Sequence, residues 1–185
     1  MAREKPRILN LQTVARTRIF HVEQLDLEFT NGVQVRYERL CSRSAGAVLV
    51  VPMRDAETVL LVHEYAAGVH RYELTLPKGR VESGESLVDA ANRELMEEIG
   101  YGARDLRTLD SVTLAPGYFS HQTHIVLAQD LYPHKLDGDE PEELEIVPWS
   151  LHDLGSLLSR EDVTEARTIA ALYMVRDLMN LNTRV

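Results

Sequence analysis

Gly79 to Tyr101 reads G-R-V-E-S-G-E-S-L-V-D-A-A-N-R-E-L-M-E-E-I-G-Y, and its second half meets the local requirements of a helix. Ser86 supplies a capping oxygen with Asp89 three residues on, and Gly100 can take the left-handed conformation that ends a helix. At about 100° per residue, Glu94, Glu97 and Glu98 fall within an arc of roughly 100°. Leu87, Ala91, Leu95 and Ile99 form the neighbouring apolar stripe, so Glu98 lies at its edge and cannot simply project into bulk water. Crowded carboxylates there are unfavourable without a cation. Oxygen ligands select hard ions such as Mg²⁺, Mn²⁺ or Ca²⁺, and Mg²⁺ commonly pairs one or two carboxylates with phosphate oxygens. A Glu-rich helix face is often merely solvated, with an arginine such as Arg93 making surface ion pairs. Gly79, Gly84 and Glu85, at fixed distances upstream of the glutamates, make that explanation insufficient.

These residues resemble the signature of the Nudix family: G, five residues, E, seven residues, then R-E-U-x-E-E-x-G-U, with U a bulky aliphatic residue. Gly79, Glu85, Arg93, Glu94, Glu97, Glu98 and Gly100 carry the match. Leu95 fills the first U, and Tyr101 departs from the usual aliphatic residue at the second without touching a ligand. The resemblance implies a divalent metal, Mg²⁺ with Mn²⁺ as a substitute, held by Glu94 and Glu98. It gives Glu97 an assisting role and makes the Lys78 carbonyl an additional ligand. It also implies that Arg93 and Glu85 fasten the loop to the helix. The implied reaction is attack of water on a pyrophosphate phosphorus, with no covalent protein intermediate.

The signature identifies the bond and leaves the attached molecule open. Glu73-Leu74 followed by Pro77-Lys78-Gly79 is similar to the segment leading into the signature in ADP-ribose pyrophosphatases, although those often have Ala where Lys78 stands. Pro116 occupies a place where the same subgroup has proline, and Tyr118 resembles a tyrosine of diadenosine polyphosphate hydrolases. Over nearly the whole chain the resemblance is closest to bacterial ADP compounds hydrolases, which implies ADP-ribose, diadenosine polyphosphates and NADH as substrates and AMP as product. The substrate-binding residues expected on this basis are Tyr37, Arg39, Glu73, Pro116, Tyr118 and Ser120, with Tyr37 stacking on adenine and Arg39 pairing with phosphate. The subgroup also takes a catalytic glutamate from the region of Asp137 to Glu143. Position favours Glu140 as the base that deprotonates water, with Glu142 second and Glu97 assisting. The rival expectations are a Nudix enzyme for another nucleoside di- or triphosphate, and a noncatalytic ADP-ribose sensor. Loss of signature glutamates would favour the sensor, and none is lost.

Outward from the signature, the chain reads as an α/β fold. The Nudix fold implied is a mixed β-sheet sandwiched between helices. Ala45 to Met53 is an uninterrupted Val-rich run, expected as a strand buried on both faces, with Thr58 to His63 as its neighbour. Further strands are expected at Leu106–Leu114, Gln122–Gln129 and Leu144–Trp149. Helices are expected at Leu151–Leu158 and Val163–Leu181, the latter opened by a capping box of Asp162 and Glu165. Towards the amino terminus, Leu25, Leu27 and Phe29 alternate with charged neighbours. Asn31-Gly32 offers a hairpin turn, and Val33 to Leu40 returns. This antiparallel β unit, residues 1–43, is too small to stand alone and must pack on the same chain or a second one; its similarity to the extension through which ADP-ribose pyrophosphatases form intertwined dimers implies dimerisation and substrate contact beside a domain spanning 44–185.

With 29 acidic and 20 basic residues the formal charge is −9, and no run of Lys and Arg offsets it. Nucleic acid is therefore not expected as a partner. The one cysteine, Cys41, cannot form an internal disulfide. No secretory signal is read in the first ten residues. The longest stretch free of Asp, Glu, Lys and Arg, Ser111 to Gln129, carries Pro116, Gly117 and His121 and is too polar to span a bilayer. A cytoplasmic homodimer is the expected state.

Overall fold

The computed structural model describes residues 3–41 and 46–179. The chain divides into two compact units, Met1–Arg43 with Thr113–Gln122, and Ser44–Val112 with Thr123–Val185. The smaller unit thus takes in a segment that the sequence reading assigned to the larger one. Ala45, residues 43 and 44, and Leu181 lie outside the described residues.

The smaller unit is a three-stranded antiparallel sheet in the order β1-β2-β3, with β1 Arg7–Arg16, β2 His21–Glu28 and β3 Gln34–Leu40. The expected hairpin is present. Gly32 has φ of 79°, and the amide of Phe29 donates to the carbonyl of Val33 at 2.9 Å. Leu25 opposes Tyr37 on one side and Leu11 on the other, and Leu27 opposes Val35 and Ile8, so one face is apolar. The opposite face carries the ion pairs Arg7–Glu28 and Arg36–Asp26. Strand β1 was not anticipated. Its register slips between Ile8 and Asn10 and again between Thr13 and Ala15, and such bulges break the two-residue alternation by which a strand is recognised.

The larger unit contains two sheets. One has the order β10-β5-β6, built from β5 Thr58–Ala66, β6 Arg71–Thr75 and β10 Glu145–Ser150. The other has the order β7-β4-β9-β8, built from β4 Ala47–Pro52, β7 Lys78–Arg80, β8 Tyr101–Thr113 and β9 Gln122–Pro133. The expectation that Thr58–His63 pairs with the preceding strand is corrected. Among the described residues only the single bridge Met53↔Val59 forms between them, and β4 lies parallel to β9 and antiparallel to β7. Sequence adjacency suggested a hairpin, but the apolar faces are satisfied by partners distant in sequence.

All of β4 is buried. Val48 and Val50 join Leu60, Val62, Val126 and Ala128 beneath Ala91 and Leu95 of the helix α1, Leu87–Glu98, and Ile99 that caps it. Leu49 and Val51 face the other way, toward α2 (Leu154–Leu158) and α3 (Ala166–Leu178), where Leu157, Leu172 and Val175 close the second core. A short 3-10 turn, Leu151–Asp153, precedes α2, so the segment expected as one helix is two. Burial on both faces explains why β4 carries no polar alternation.

The capping box expected at Asp162 is also corrected. Helix α3 starts later, capped by the Glu165 carboxylate, which accepts from the amide of Thr168 at 2.7 Å. Asp162 instead pairs with Arg160 at 2.7 Å and with His63 Nε2 at 3.1 Å, while His63 Nδ1 faces Glu145 at 3.0 Å. Glu145 above all, and then Asp162, raise the His63 pKa. A raised histidine pKa contributes stability that is present below the unfolded-state value and fades as pH rises through the folded-state value. Wild type should therefore exceed His63→Gln in urea stability by ~1 kcal/mol at pH 5.5. The gap should close by pH 8.5; a gap that widened with pH would rule out this role.

Candidate active site

Helix α1 is set by its ends. Ser86 Oγ accepts from the amide of Asp89 at 3.2 Å, Ile99 closes the last turn, and Gly100 follows with φ of 70°. Between them Ala90, Glu94 and Glu98 form one row at helical spacing along the edge of the apolar stripe, and all three are buried. The row faces β7, where Lys78 and Gly79 pair with Leu49 and Val48 of β4. Gly79 is required by space: a Cβ there would fall on the Glu94 carboxylate.

Arg93 ties the loop to the helix. Its Nε and Nη2 reach the two carboxylate oxygens of Glu85 at 2.9 and 3.0 Å, and Nη2 also donates to the Arg80 carbonyl at 2.9 Å. Its Nη1 donates to Glu94 at 2.7 Å and Glu97 at 2.9 Å. Glu85 is held below the usual carboxylate range by Arg93, and the guanidinium is made still harder to deprotonate, chiefly by Glu85. The arginine expected to join the two parts of the signature thus does so through four groups.

Glu98 has weaker support. Among the described residues its carboxylate receives only the Lys78 amide, at 3.3 and 3.4 Å. Burial, opposed by the Lys78 charge and reinforced by Glu64 and Glu94, pushes its pKa up to about 8. Glu94 is likewise raised, first by burial. Two buried carboxylates beside further acidic neighbours form a site whose ionised state needs a cation to be favourable. The donor atoms are all oxygen, which suits a hard divalent ion. Among the described residues no three His, Cys, Asp or Glu side chains already converge as a complete metal cage; Arg93 occupies the space between Glu94 and Glu97.

A cleft of about 410 Å³ opens here, lined by Lys78, Arg93, Glu94, Glu97, Asp139 and Glu140 among others. Glu140 thus reaches the glutamate row, and its pKa is raised by burial and by Glu64 and Asp139. Its carboxylate accepts no hydrogen bond among the described residues. Glu142 is engaged elsewhere, accepting from the Tyr72 hydroxyl at 2.5 Å. Glu64 was missed by sequence reasoning. It lies on β5, pairs with Lys78 across the site, and raises both Glu98 and Glu140. No local motif marks it, because β5 meets the signature only through the fold.

Glu73, expected among the substrate-binding residues, is turned inward. It is 5% exposed, and its oxygens are taken by Arg71 and by the amide and hydroxyl of Thr164. It ties β6 to the start of α3 instead of presenting a carboxylate to a ligand. The other five come together in the smaller unit. Tyr37, Arg39, Pro116, Tyr118 and Ser120 line a cleft of about 360 Å³ with Leu25 and Leu27. The turn carrying Pro116 and Tyr118 is bonded to β3: the Leu40 amide donates to the Tyr118 carbonyl at 2.7 Å, and the Ser120 amide to the Leu40 carbonyl at 3.0 Å. Tyr118 and Tyr37 remain exposed. Arg39 places Nε and Nη2 on one oxygen of Glu23 at 3.0 and 2.8 Å, and Cys41 reaches the same oxygen at 2.9 Å.

Comparison with known proteins agrees with this geometry. A family model for the NUDIX domain matches residues 43–172, and one for the NudE-type Nudix hydrolase N-terminal domain matches residues 6–39. The chain is 50% identical over 182 residues to the ADP compounds hydrolase NudE of Escherichia coli, covering 98% of this chain and 97% of that protein. It is 30% identical to an ADP-ribose pyrophosphatase of Bacillus subtilis over 91% and 94% of the two chains. A crystal structure of an ADP compounds hydrolase superposes with a TM-score of 0.90 and 49% identity, covering 100% of both chains. With every glycine, glutamate and arginine of the signature present and both of its parts matched, the chain belongs to the Nudix hydrolase family.

Proposed function

We propose that this enzyme hydrolyses the pyrophosphate bond of ADP-containing small molecules, among them ADP-ribose, diadenosine polyphosphates and NADH, and releases AMP. The observation that carries the reading is the pair of buried carboxylates, Glu94 and Glu98: Glu94 lines the cleft of about 410 Å³ with Glu97 and Glu140, and Glu98 lines a second cleft of about 320 Å³ that shares the same two residues. The half-identical ADP compounds hydrolase supports the choice of substrate.

Glu94 and Glu98, with Glu97 and the Lys78 carbonyl, are the groups that would hold Mg²⁺ or Mn²⁺. Such an ion supplies charge neutralisation of the pyrophosphate and lowers the pKa of bound water. The chain's own residues do the rest. Arg93 and Glu85 keep the loop and helix at fixed separation, so the backbone that carries the carboxylates stays in place when substrate arrives. Glu140 takes the proton from the attacking water; its free carboxylate and raised pKa suit that role better than Glu142, already committed to Tyr72. In the smaller unit, Tyr37 and Tyr118 offer exposed aromatic faces for adenine, in a cleft whose volume lies in the usual range for small-molecule sites. Arg39, expected to meet phosphate, must first be shared with Glu23.

The protein is read as a homodimer. Strand β1 is a sheet edge exposed along its length, with Ile8, Leu9, Leu11 and Val14 all uncovered, and such an edge invites pairing with another chain. Light scattering should give about twice the 21.0 kDa chain mass; a monomer at micromolar concentration would exclude it. No helix among the described residues is long and apolar enough to cross a membrane. The formal charge of −9 disfavours nucleic acid as a partner.

The deciding experiment is product analysis after incubating the protein with Mg²⁺ and, separately, ADP-ribose, diadenosine triphosphate, NADH and dGTP. AMP from the first three is the expected result. Turnover of dGTP alone would keep the chemistry and discard the substrate assignment, and binding of ADP-ribose without turnover would favour a sensor.

A further inference from the structure

The acidic segment between β9 and β10 carries Glu140 across the edge of the glutamate row, and its two ends are held by backbone. At its start the Leu136 amide donates to the Met96 carbonyl of α1 at 3.0 Å. At its end Glu145 opposes His63 as the first pair of β10 with β5. Between these anchors the segment runs close to α1, with a Cβ at Gly138 standing 3.4 Å from the Glu97 Cβ. Among the described residues, one side-chain hydrogen bond joins this stretch to the rest of the fold: the Tyr72 hydroxyl donates to Glu142 Oε1 at 2.5 Å.

Tyr72 is well placed to act as a fixed post. It stands on β6, a strand held by β5 through the pairs Tyr65↔Tyr72 and Glu64↔Glu73. Its ring meets Tyr65 edge-on at 5.6 Å, and the Tyr65 hydroxyl is bonded in turn to His70. The bond to Glu142 lies two residues from Glu140, across Pro141, whose ring fixes one of the intervening backbone angles. Each peptide unit spans about 3.8 Å, so anchoring Glu142 confines Glu140 to a short arc.

We propose that Tyr72 is a positioning residue, which through Glu142 holds the acidic segment so that Glu140 stays directed at the glutamate row. The inference rests on the reading of Glu140 as the general base. It also assigns Glu142 a purpose: it is the tether rather than a second base.

The test is steady-state kinetics of Tyr72→Phe, Glu142→Gln, Glu140→Gln and the combinations, with ADP-ribose and Mg²⁺, beside melting temperatures. Tyr72→Phe removes one oxygen from a half-exposed ring, so the fold should be unchanged. Its kcat should fall about tenfold, the worth of one charge-assisted hydrogen bond, with KM within about twofold. Adding Glu142→Gln should cost nothing more, and adding Tyr72→Phe to Glu140→Gln should also cost nothing, because the tyrosine acts only through that carboxylate. Full activity of Tyr72→Phe while Glu140→Gln is crippled would overturn the positioning role and leave the base assignment standing. A rise in KM at constant kcat, or an additive loss in the Glu140→Gln background, would overturn it too. Near-normal activity of Glu140→Gln would remove the base assignment, and this inference with it.

Discussion

Replacing Glu98 by Gln should lower turnover of ADP-ribose by about a hundredfold to a thousandfold and leave the protein folded. The expectation follows from what surrounds the carboxylate. Glu98 is 6% exposed, receives one long backbone hydrogen bond among the described residues, and sits beside Glu64 and Glu94. A buried carboxylate with so little support serves no structural end, since burying a charge without a partner is unfavourable. Glutamine keeps the shape and the hydrogen-bond acceptor but cannot supply negative charge to a divalent ion. Metal binding should weaken by at least about tenfold, as calorimetry with Mn²⁺ would show. In chelator, the melting temperature of the variant should equal or exceed that of wild type, because the neutral amide tolerates the buried position better than a carboxylate does. A folded variant with near-normal turnover would remove Glu98 from the proposed metal site. A variant that melted well below wild type would mean that the carboxylate is structural after all.

The parts of this protein that could be read from sequence are those governed by neighbours along the chain. The caps of α1, the buried run of β4 and the turn at Gly32 each follow from residues within a few positions, and the structure places them within one or two residues of expectation. The signature belongs to the same class, because loop and helix are contiguous and Arg93 has only to reach back to Glu85. Pairing between strands is different. Thr58–His63 follows β4 in sequence yet turns to β6 and β10, because β4 is covered by β9 and β7 instead. Glu64 escaped notice for the same reason, since its place opposite Lys78 depends on how β5, β6 and β7 follow one another. Glu73 shows the converse case. Similarity of Glu73-Leu74 to the segment that leads into the signature of ADP-ribose pyrophosphatases implied a ligand contact, whereas here Arg71 and Thr164 satisfy the carboxylate internally. Neither outcome is written in local periodicity, and both required the three-dimensional neighbours.

Gly79→Ala, a change of one methyl group, should reduce kcat/KM by about a hundredfold, an effect comparable with removing a charged ligand. The cause is crowding rather than backbone strain. Gly79 lies in β7 without a left-handed φ, whereas Gly84 has φ of 86° with nothing within 4 Å of an added Cβ. At Gly79 the new methyl would occupy the place of the Glu94 carboxylate. The strand cannot easily retreat, since it pairs with Val48 and Leu49, both 0% exposed in the core. The carboxylate must therefore swing away from its bond with Arg93, and a displacement of about an ångström at a catalytic group is enough for a loss of this size. Overpacking should also cost about 1–3 kcal/mol of stability. Gly84→Ala provides the control, because its left-handed backbone makes it unstable by about 1–2 kcal/mol without touching a carboxylate. The two variants should thus melt at similar temperatures and differ widely in activity. If Gly84→Ala lost as much activity as Gly79→Ala, loop conformation would be the decisive factor. If both stayed active, the close seating of β7 against Glu94 would have no part in placing the proposed metal-binding row.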